Sequence, residues 1–307
     1  MKIAVYSSLQ NEACQQTVSY LLEAAQSMNI NVSCHETICQ SLQNDSLRSF
    51  TSNKDLGKDI DLFFSVGGDG TLLRCLELIR DTQIPVIGIN TGRLGFLATL
   101  QADDIQVALQ AFLDEKYSVE KRSLLTVDVQ GISDEIAAFP LVLNEVGVSR
   151  KNTTSMITVH TKINGESLNS YWADGFIVST PTGSTGYSLS NGGPIIDPNS
   201  KSLVLTPIAP HNLNARPLVI SEDDVVELSV SSREDAHLLS LDSQHCAKIT
   251  YAKRFKICIY CSIALILPPM KFVAKGFEIT VIMETCQLQW KCCFLNSYWV
   301  PCWDGMN

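Results

Sequence analysis

The chain has 307 residues, of which 45% are hydrophobic and 18% are charged. This composition is typical of a soluble globular protein with a buried core, and the length favours two domains. The formal net charge of −9 argues against nucleic acid or an anionic membrane as the main partner. The apolar run near the N-terminus is too short for a signal peptide, so we expect a cytoplasmic protein.

Strands and helices alternate over the first 115 residues. Apolar runs predict strands over KIAVY, NVSCHE, DLFFSV and IPVIGIN, and helical spacing predicts helices over EACQQTVSYLLEAAQSM, TLLRCLELIR and DDIQVALQAFLDE. The polar stretch 40–58 is expected to hold a loop and a short helix. DLFFSV is too apolar for a half-exposed strand, which is typical of the centre of a parallel sheet. Residues 1–115 are therefore predicted to form an α/β domain with an open, mostly parallel sheet.

The pattern changes to short, β-rich segments between residue 117 and about residue 243. Turn signals separate these segments, and Asn164-Gly165 between two of them predicts a hairpin. We therefore predict an all-β sandwich as the second domain, over residues 116–245. A ligand site is expected between the two domains, where clefts commonly form.

The sequence GGDGT at residues 67–71 follows the DLFFSV strand and precedes a predicted helix. Glycines let the backbone approach a ligand closely, and a helix N-terminus favours phosphate. The chain has neither a GxxxxGK[ST] Walker loop nor a GxGxxG dinucleotide fingerprint. Asp69 could bind a divalent cation or accept a proton from an attacking hydroxyl. The alternative is that it closes a tight turn with an Asx-type hydrogen bond.

Three further features carry polar groups that suit a bound ligand. Arg74, one turn into the predicted helix, is either an anion clamp or a solvated surface arginine. The stretch 173–194, rich in hydroxyls and glycines, suits ribose and phosphate or forms an ordered polar loop. Asn144 and Glu145 interrupt the apolar run LVLNEVGV, where they either face a ligand or occupy a β-bulge. The histidines show no metal-ligand spacing, and neither a hydrolase triad nor an HExxH motif is supported.

Taken together, these motifs closely resemble the NAD kinase family. The matching stretches are GGDGT at 67–71, GINTGRLGFL at 88–97, NE at 144–145, DG at 174–175 and TPTGSTGYSLSNGGPI at 180–195. They follow the family's order and cover residues 1 to about 245. GGDGT alone also resembles lipid kinases and phosphofructokinases, whereas the later motifs point to NAD kinase. Gly186 and Asn191 stand where the family more often has alanine.

The resemblance implies an enzyme that uses ATP to phosphorylate NAD on the 2′-hydroxyl of its adenosine ribose, giving NADP. It also implies an α/β domain followed by a β-sandwich domain, a divalent metal cation (Mg²⁺) and a homodimer or homotetramer. By position, Asp69 resembles the general base of the family. Contacts to the nucleotide are implied for Gly70, Arg74, Asn144, Glu145, Asp174, Thr185, Gly186, Tyr187, Ser188, Leu189, Ser190, Ala209 and Gln244. No residue is assigned as a metal ligand.

The tail, residues 246–307, departs from the family. Seven of the eleven cysteines and three of the four tryptophans lie in it. In the family the corresponding segment returns to pack on the first domain, and we expect the same here. One hypothesis is that this tail is translated out of frame. A zinc site from Cys258-x2-Cys261 and Cys292-Cys293 is not favoured, because a second CxxC is missing.

Two alternatives to an active NAD kinase stay open at this point. The chain could be a nucleotide-binding protein that is catalytically weak because of its tail. It could also be another GGDGT kinase that acts on a lipid or a sugar. Activity with NAD separates the first hypothesis from both alternatives.

Overall fold

The computed structural model describes residues 1–8, 11–44, 47–57, 59–80, 82–92, 95–129, 141–152, 155–233, 236–250 and 254–267. Residues Met1–Pro269 form one compact unit. The second unit, Met270–Asn307, lies outside the described residues. The out-of-frame hypothesis mainly concerns this region. The zinc alternative depends on cysteine side chains that are not described.

Helices and parallel strands alternate in the first part of the chain, as the sequence predicts. The helices are α1 (Glu12–Ser27), α2 (Glu36–Leu42), α3 (Asp69–Ile79) and α4 (Ile105–Leu113), with a 3₁₀ turn at Ala102–Asp104 before α4. The strands are β1 (Lys2–Ser7), β2 (Asn31–His35), β3 (Arg48–Phe50), β4 (Leu62–Gly67), β5 (Val86–Asn90) and β6 (Leu100–Gln101). Strands β3, β2, β1, β4 and β5 pair in parallel in that order.

Local sequence explains where these elements begin. The Asn11 side chain accepts a hydrogen bond from the Cys14 amide at 2.9 Å and so caps α1. Every residue of β4 is buried, as expected for a central strand with helices on both faces. The stretch 40–58 differs from its prediction, because α2 begins earlier, at Glu36, and the loop also contains β3. Strand β3 is only three residues long, and so short a strand leaves little periodicity to detect.

Antiparallel strands form the second part of the chain. They are β7 (Ser118–Val129), β8 (Leu141–Val142), β9 (Glu145–Arg150), β10 (Ile157–Ile163), β11 (Glu166–Ala173), β12 (Gly175–Ser179), β13 (Ser202–Ile208), β14 (Leu218–Ser221), β15 (Val226–Ser231), β16 (Ala236–Leu241), β17 (His245–Thr250) and β18 (Arg254–Leu267). The predicted Asn164-Gly165 hairpin joins β10 to β11. Two further segments, a 3₁₀ turn at Thr182–Thr185 and a short helix at Tyr187–Ser190, follow β12.

Strand β18 connects the two parts of the chain. It pairs antiparallel with β15 and β7, and its Leu265 pairs in parallel with Val86 of β5. The described residues thus form one sheet in the order β11-β10-β15-β18-β5-β4-β1-β2-β3, with β6, β7 and β8 attached. A second sheet has the order β14-β13-β12-β9-β16-β17. The fold class predicted from the sequence, a parallel α/β part followed by antiparallel β sheets, is confirmed.

Buried apolar side chains divide into three clusters that match these layers. One lies between the antiparallel part of the first sheet and the second sheet, with Val159 and Leu228 from the first and Val178 and Leu205 from the second. The other two clusters lie on opposite faces of the parallel sheet, against α3 and against α1 with α4. Among the described residues, no helix has both the length and the apolar character needed to cross a membrane.

Candidate functional site

Asp69 is the first residue of α3 and lies directly after the glycine turn that ends β4. Its Oδ2 accepts a hydrogen bond from the Phe96 amide at 2.8 Å. Its Oδ1 accepts from the amides of Leu97 and Ala98 at 3.0 and 2.9 Å. The half-buried carboxylate is therefore oriented by three backbone donors, and not by the Asx-type bond within its own turn that the sequence left as an alternative.

The donors to Asp69 come from the GINTGRLGFL motif, so two of the matching stretches meet here. The Thr91 amide donates to the Gly67 carbonyl at 3.0 Å, and β4 pairs with β5 at Gly67 and Asn90. The Asn90 side chain donates to the Ala98 carbonyl at 3.2 Å and accepts from the Gly92 amide at 2.7 Å. These bonds hold the turn after β5 against the turn after β4.

Arg74 lies one helical turn after Asp69, and its side chain is exposed. Its Nε donates to Gln244 Oε1 at 3.2 Å, and its guanidinium also hydrogen-bonds the Tyr6 hydroxyl. Gln244 is exposed and lies in the turn between β16 and β17. Two predicted nucleotide contacts, distant in sequence, are thus brought together at the start of α3.

The Asn144-Glu145 pair does not lie within a continuous strand. The apolar run LVLNEVGV divides into β8 and β9, with Asn144 in the bend and Glu145 at the start of β9. The interruption has a physical cause, because the Asp242 carboxylate accepts from the amides of Leu143, Asn144 and Glu145 at 2.8, 2.7 and 3.0 Å. Those amides would otherwise be available to a neighbouring strand.

Glu145 is a buried carboxyl group, only 5% exposed. The pKa of Glu145 is raised to about 7, mainly by burial and in addition by the negative charge of Asp242, while the Tyr187 backbone N–H that donates to the carboxylate opposes the increase. Its Oε2 has no hydrogen-bond partner among the described residues. A buried oxygen without a partner is costly, so this atom is suited to contact a bound polar ligand.

The stretch 180–190 folds over the Asn144-Glu145 bend. Thr180 donates from its amide to the Asn144 carbonyl at 2.9 Å, and a Cβ on Gly183 would lie 2.0 Å from that same carbonyl oxygen. Thr185 closes the 3₁₀ turn by donating from Oγ1 to the Thr182 carbonyl at 3.2 Å. A Cβ on Gly186 would lie 3.0 Å from Glu145 Oε2. The close approach at Gly183 explains why glycine is required there.

The short helix Tyr187–Ser190 places the remaining residues of this predicted loop. Tyr187 and Ser190 are exposed and Leu189 is half-buried. Ser188 is fully buried, and its hydroxyl hydrogen-bonds that of Thr206 on β13 at 2.8 Å. Ser188 therefore anchors the helix to the sheet, while Tyr187 and Ser190 are the accessible groups.

Asp174 and Ala209 lie at the other end of β12 from Thr180. The α-carbons of Asp174 and Thr180 are six residues apart along an extended strand, roughly 20 Å at about 3.3 Å per residue. Asp174 makes an ion pair with Arg150 at 2.8 Å, and its amide donates to Ile208. Ala209, with a φ of +43°, follows directly in the chain. These two predicted contacts therefore form a group of their own.

Sequence reasoning missed Asp242, Thr180 and the Phe96–Ala98 amides as parts of this arrangement. Asp242 stands in the turn LDSQ, which resembles any polar hairpin turn. Backbone amides carry no side-chain signal at all. The motif GINTGRLGFL was the available indication for the Phe96–Ala98 segment, because it matched the family as a block. That match gave no chemical role to the individual residues.

Comparisons with known proteins identify the family. The sequence model of the ATP-NAD kinase N-terminal domain matches residues 3–117, and that of the ATP-NAD kinase C-terminal domain matches residues 143–261. The NAD kinase of Flavobacterium psychrophilum is 50% identical over 249 residues, which cover 80% of this chain and 85% of that protein. The NAD kinase of Christiangramia forsetii is 48% identical with the same coverage.

Solved structures agree on the fold. An NAD kinase from Archaeoglobus fulgidus in complex with ATP superposes with a TM-score of 0.67 at 26% identity, covering 89% of this chain and 96% of that one. A yeast NADH kinase complexed with NADH superposes with a TM-score of 0.81 at 22% identity, covering 98% of this chain and 90% of that one. Two domain models that together match more than half of the sequence, and relatives near 50% identity, lead to one conclusion: the chain belongs to the ATP-NAD kinase family.

Proposed function

We propose that the chain phosphorylates the 2′-hydroxyl of the adenosine ribose of NAD, with ATP as donor, and that Asp69 accepts the proton of that hydroxyl. NAD kinase activity follows from the family, since relatives named NAD kinase are 50% and 48% identical over most of the chain. The assignment of roles to individual residues is our proposal. The observation that supports it best is the oriented Asp69 carboxylate at the start of α3.

The amide hydrogen bonds of Asp69 leave one acceptor position on its carboxylate. A carboxylate offers about four acceptor positions, two on each oxygen. Among contacts between described residues, Oδ1 accepts two amides and Oδ2 accepts one. Oδ2 is therefore the oxygen with an acceptor position left for the ribose hydroxyl.

The glycines around Asp69 support the approach of a ligand. A Cβ on Gly68 or Gly70 would meet no described atom within 4 Å, so packing within the protein does not require glycine at either position. Both residues lie at the N-terminus of α3, where backbone N–H groups and the helix dipole favour phosphate. We infer that the open space at Gly68 and Gly70 admits the phosphate groups of ATP.

The transfer forms one bond to phosphorus and breaks another. The ribose oxygen forms a bond to the γ-phosphorus of ATP, the bond from that phosphorus to the bridging β,γ-oxygen breaks, and ADP leaves. The ribose proton passes to Asp69 Oδ2. Arg74 lies on the same helix, and its guanidinium suits the charge that develops on the transferred phosphoryl group.

A divalent cation is part of the proposal, as a companion of ATP. Among the described residues, no group of three or more His, Cys, Asp or Glu side chains could hold a metal ion. Mg²⁺ commonly binds through one or two carboxylates together with substrate phosphates and water. We therefore propose that Mg²⁺ enters as the ATP complex and is held mainly by the phosphates.

Two further expectations follow from the family resemblance. One is a homodimer or homotetramer, and the other is a cytoplasmic location, where NAD and ATP are both available. Size-exclusion chromatography with light scattering measures the first directly. The alternatives of a lipid or sugar kinase and of a binding protein without activity are not favoured, because both parts of the chain match NAD kinase.

The test is NADP formation from NAD, ATP and Mg²⁺ by the full chain, compared with Asp69→Asn. Asp55→Asn is the matched control, since Asp55 also accepts amide hydrogen bonds, from Thr51 and Ser52, in an exposed loop. General-base catalysis typically contributes 10²–10⁴-fold, so we expect Asp69→Asn to lose roughly that factor in kcat. Asp55→Asn should retain the wild-type rate.

Two results would contradict the proposal. A folded wild-type chain that binds NAD without forming NADP would be a binding protein, and the altered tail would be the first suspect. An Asp69→Asn variant with undiminished kcat would show that another group accepts the proton. Circular dichroism of each variant establishes that the fold is retained.

A further inference from the structure

The turn between β16 and β17 connects two parts of the site. Asp242 and Ser243 have positive φ values of +49° and +54°, and the Gln244 amide donates to the Leu241 carbonyl at 2.9 Å. Positive φ at both central positions is the geometry of a type I′ hairpin turn. This geometry turns the Asp242 carboxylate towards β9 and leaves Gln244 exposed beside α3.

Asp242 is only 6% exposed, and its carboxylate spans three consecutive amides. Oδ2 accepts from Leu143, and Oδ1 accepts from Asn144 and Glu145, at 2.7–3.0 Å. The Asp242 amide in turn donates to the Glu145 carbonyl at 3.0 Å. These bonds fix the conformation of the bend 143–145.

The same turn also contacts α3, through the side chain of Gln244. Gln244 Oε1 accepts from Arg74 Nε at 3.2 Å. Asp69 and Arg74 are on one side of this connection, and the bend with Asn144 and Glu145 is on the other. No other described segment is seen to hydrogen-bond both α3 and the bend through side chains.

We propose that Asp242 is a positioning residue for NAD, holding the Asn144-Glu145 bend in register with α3. The inference deepens the proposed function and rests on it. Asp242 itself is covered by the bend and does not touch the reacting atoms. Its effect on the reaction passes through Asn144 and Glu145, which the bend presents to the nucleotide.

Its charge matters as well as its shape. Among the described residues, Asp242 is the charged group that acts on Glu145, and the Tyr187 amide is the donor facing it. An asparagine at 242 would keep the shape but turn an N–H group towards one of the three amides. It would also remove the negative charge that disfavours ionisation of Glu145.

The experiment compares the full chain with Asp242→Asn, Glu145→Gln and the double variant. Asp224→Asn is the matched control, because Asp224 also caps a turn, the one between β14 and β15, accepting from the Ser221 amide at 3.0 Å and from Asn164 Nδ2 at 2.7 Å. We measure KM for NAD and for ATP, kcat, and the pH profile of kcat/KM for NAD between pH 5 and pH 9.

We expect Asp242→Asn to raise KM for NAD by about tenfold or more, with a smaller change in KM for ATP. The wild-type profile should contain a titration near pH 7 that is absent in Glu145→Gln and displaced to lower pH in Asp242→Asn. The double variant should lose less than the product of the two single losses, because the residues act together. Asp224→Asn should change none of these quantities.

Three results would overturn the inference. The first is a KM for NAD in Asp242→Asn within twofold of wild type, and the second is a double variant whose loss equals the product of the two single losses. The third is a pH profile of Asp242→Asn that is identical to that of wild type. Asp242→Glu keeps the charge but displaces the carboxylate, and it replaces Asp242→Asn if that variant does not fold. It should keep the titration near pH 7 and raise KM for NAD. A wild-type chain that forms no NADP would instead contradict the proposed function, and NAD affinity by calorimetry would then test the role of Asp242 alone.

Discussion

The Asp69 carboxylate packs directly against the α-carbon of Gly95. A Cβ at position 95 would lie 2.1 Å from Asp69 Oδ1 and 2.5 Å from Asp69 Cγ, which no side chain can do. The same segment donates the three amides that orient Asp69. Glycine at 95 is therefore needed for the position of the proposed base and not for freedom of the backbone.

This contact predicts that Gly95→Ala displaces Asp69 and lowers kcat. The loss should be roughly 10²-fold or more, since small displacements of a catalytic group have effects of that size. Gly92→Ala is the matched control in the same loop, because a Cβ there would meet nothing within 4 Å. Steady-state rates of NADP formation measure both variants. Equal kcat for the two would show that Asp69 is not held by this contact.

Much of the fold and of the site could be predicted from the sequence, because periodicity and short motifs depend only on residues that are close together in the chain. The buried strand before GGDGT and the helix after it place Asp69 at a helix N-terminus, where the structure has it. The alternation of strands and helices up to residue 115 likewise predicts the parallel sheet. Asn164-Gly165 specifies its own hairpin through the φ values that the two residues accept.

Long-range partners could not be predicted in the same way. Asn144 lies in an apolar run that favours a continuous strand, and the bend there depends on Asp242, about 100 residues later in the chain. The ion pair of Asp174 with Arg150 also depends on the pairing of β9 with β12. Such contacts follow from sheet topology, which a single sequence does not reveal.

The open space at Gly70 predicts opposite effects on stability and on activity. Gly70 is the second residue of α3, and alanine in a helix is favoured over glycine by about 1 kcal/mol. Gly70→Ala should therefore raise the melting temperature. It should also raise KM for ATP several-fold, because the added methyl group occupies the space proposed for phosphate.

Gln15→Ala is the control for helix propensity, since Gln15 is exposed on α1. It should leave KM for ATP unchanged. Differential scanning fluorimetry and initial rates at varied ATP measure both properties. Unchanged KM in a stabilised Gly70→Ala variant would mean that ATP does not approach this glycine.

The raised pKa of Glu145 predicts that this residue lowers stability as pH increases. The pKa of this carboxyl group is 4.5 ordinarily and about 7 in the folded chain. Between pH 4.5 and about pH 7, the folded chain therefore keeps a proton that the unfolded chain has released. The contribution of Glu145 to the free energy of unfolding is then full below pH 4.5 and is lost as pH rises through about 7. A difference of this size corresponds to something on the order of 3 kcal/mol.

Glu145→Gln removes this titration while keeping an acceptor for the Tyr187 amide. The free energy of unfolding by urea should be higher for Glu145→Gln than for wild type at pH 8, and the difference should shrink towards pH 5. Glu166→Gln, at an exposed position on β11, controls for the loss of one carboxylate. A difference that is constant with pH would show that Glu145 does not titrate in this range.

Ser243 predicts a gain in stability on replacement by glycine. The turns Asn164-Gly165 and Asp242-Ser243 both have positive φ at two successive residues, but only the first has glycine at its second position. The left-handed conformation costs a residue with a side chain roughly 1–2 kcal/mol. Replacement by glycine removes this cost, but part of the gain is offset because glycine makes the unfolded state more flexible. Ser243→Gly should therefore raise the free energy of unfolding by up to about 1 kcal/mol.

The reverse exchange, Gly165→Ser, places the same strain in the other hairpin and should lower the free energy of unfolding by a similar amount. Urea unfolding with an unchanged m-value measures both variants. Ser243→Gly leaves the Asp242 side chain in place, so KM for NAD should stay at the wild-type value. A Ser243→Gly variant that is less stable than wild type would show that the serine side chain makes a contact worth more than its backbone strain.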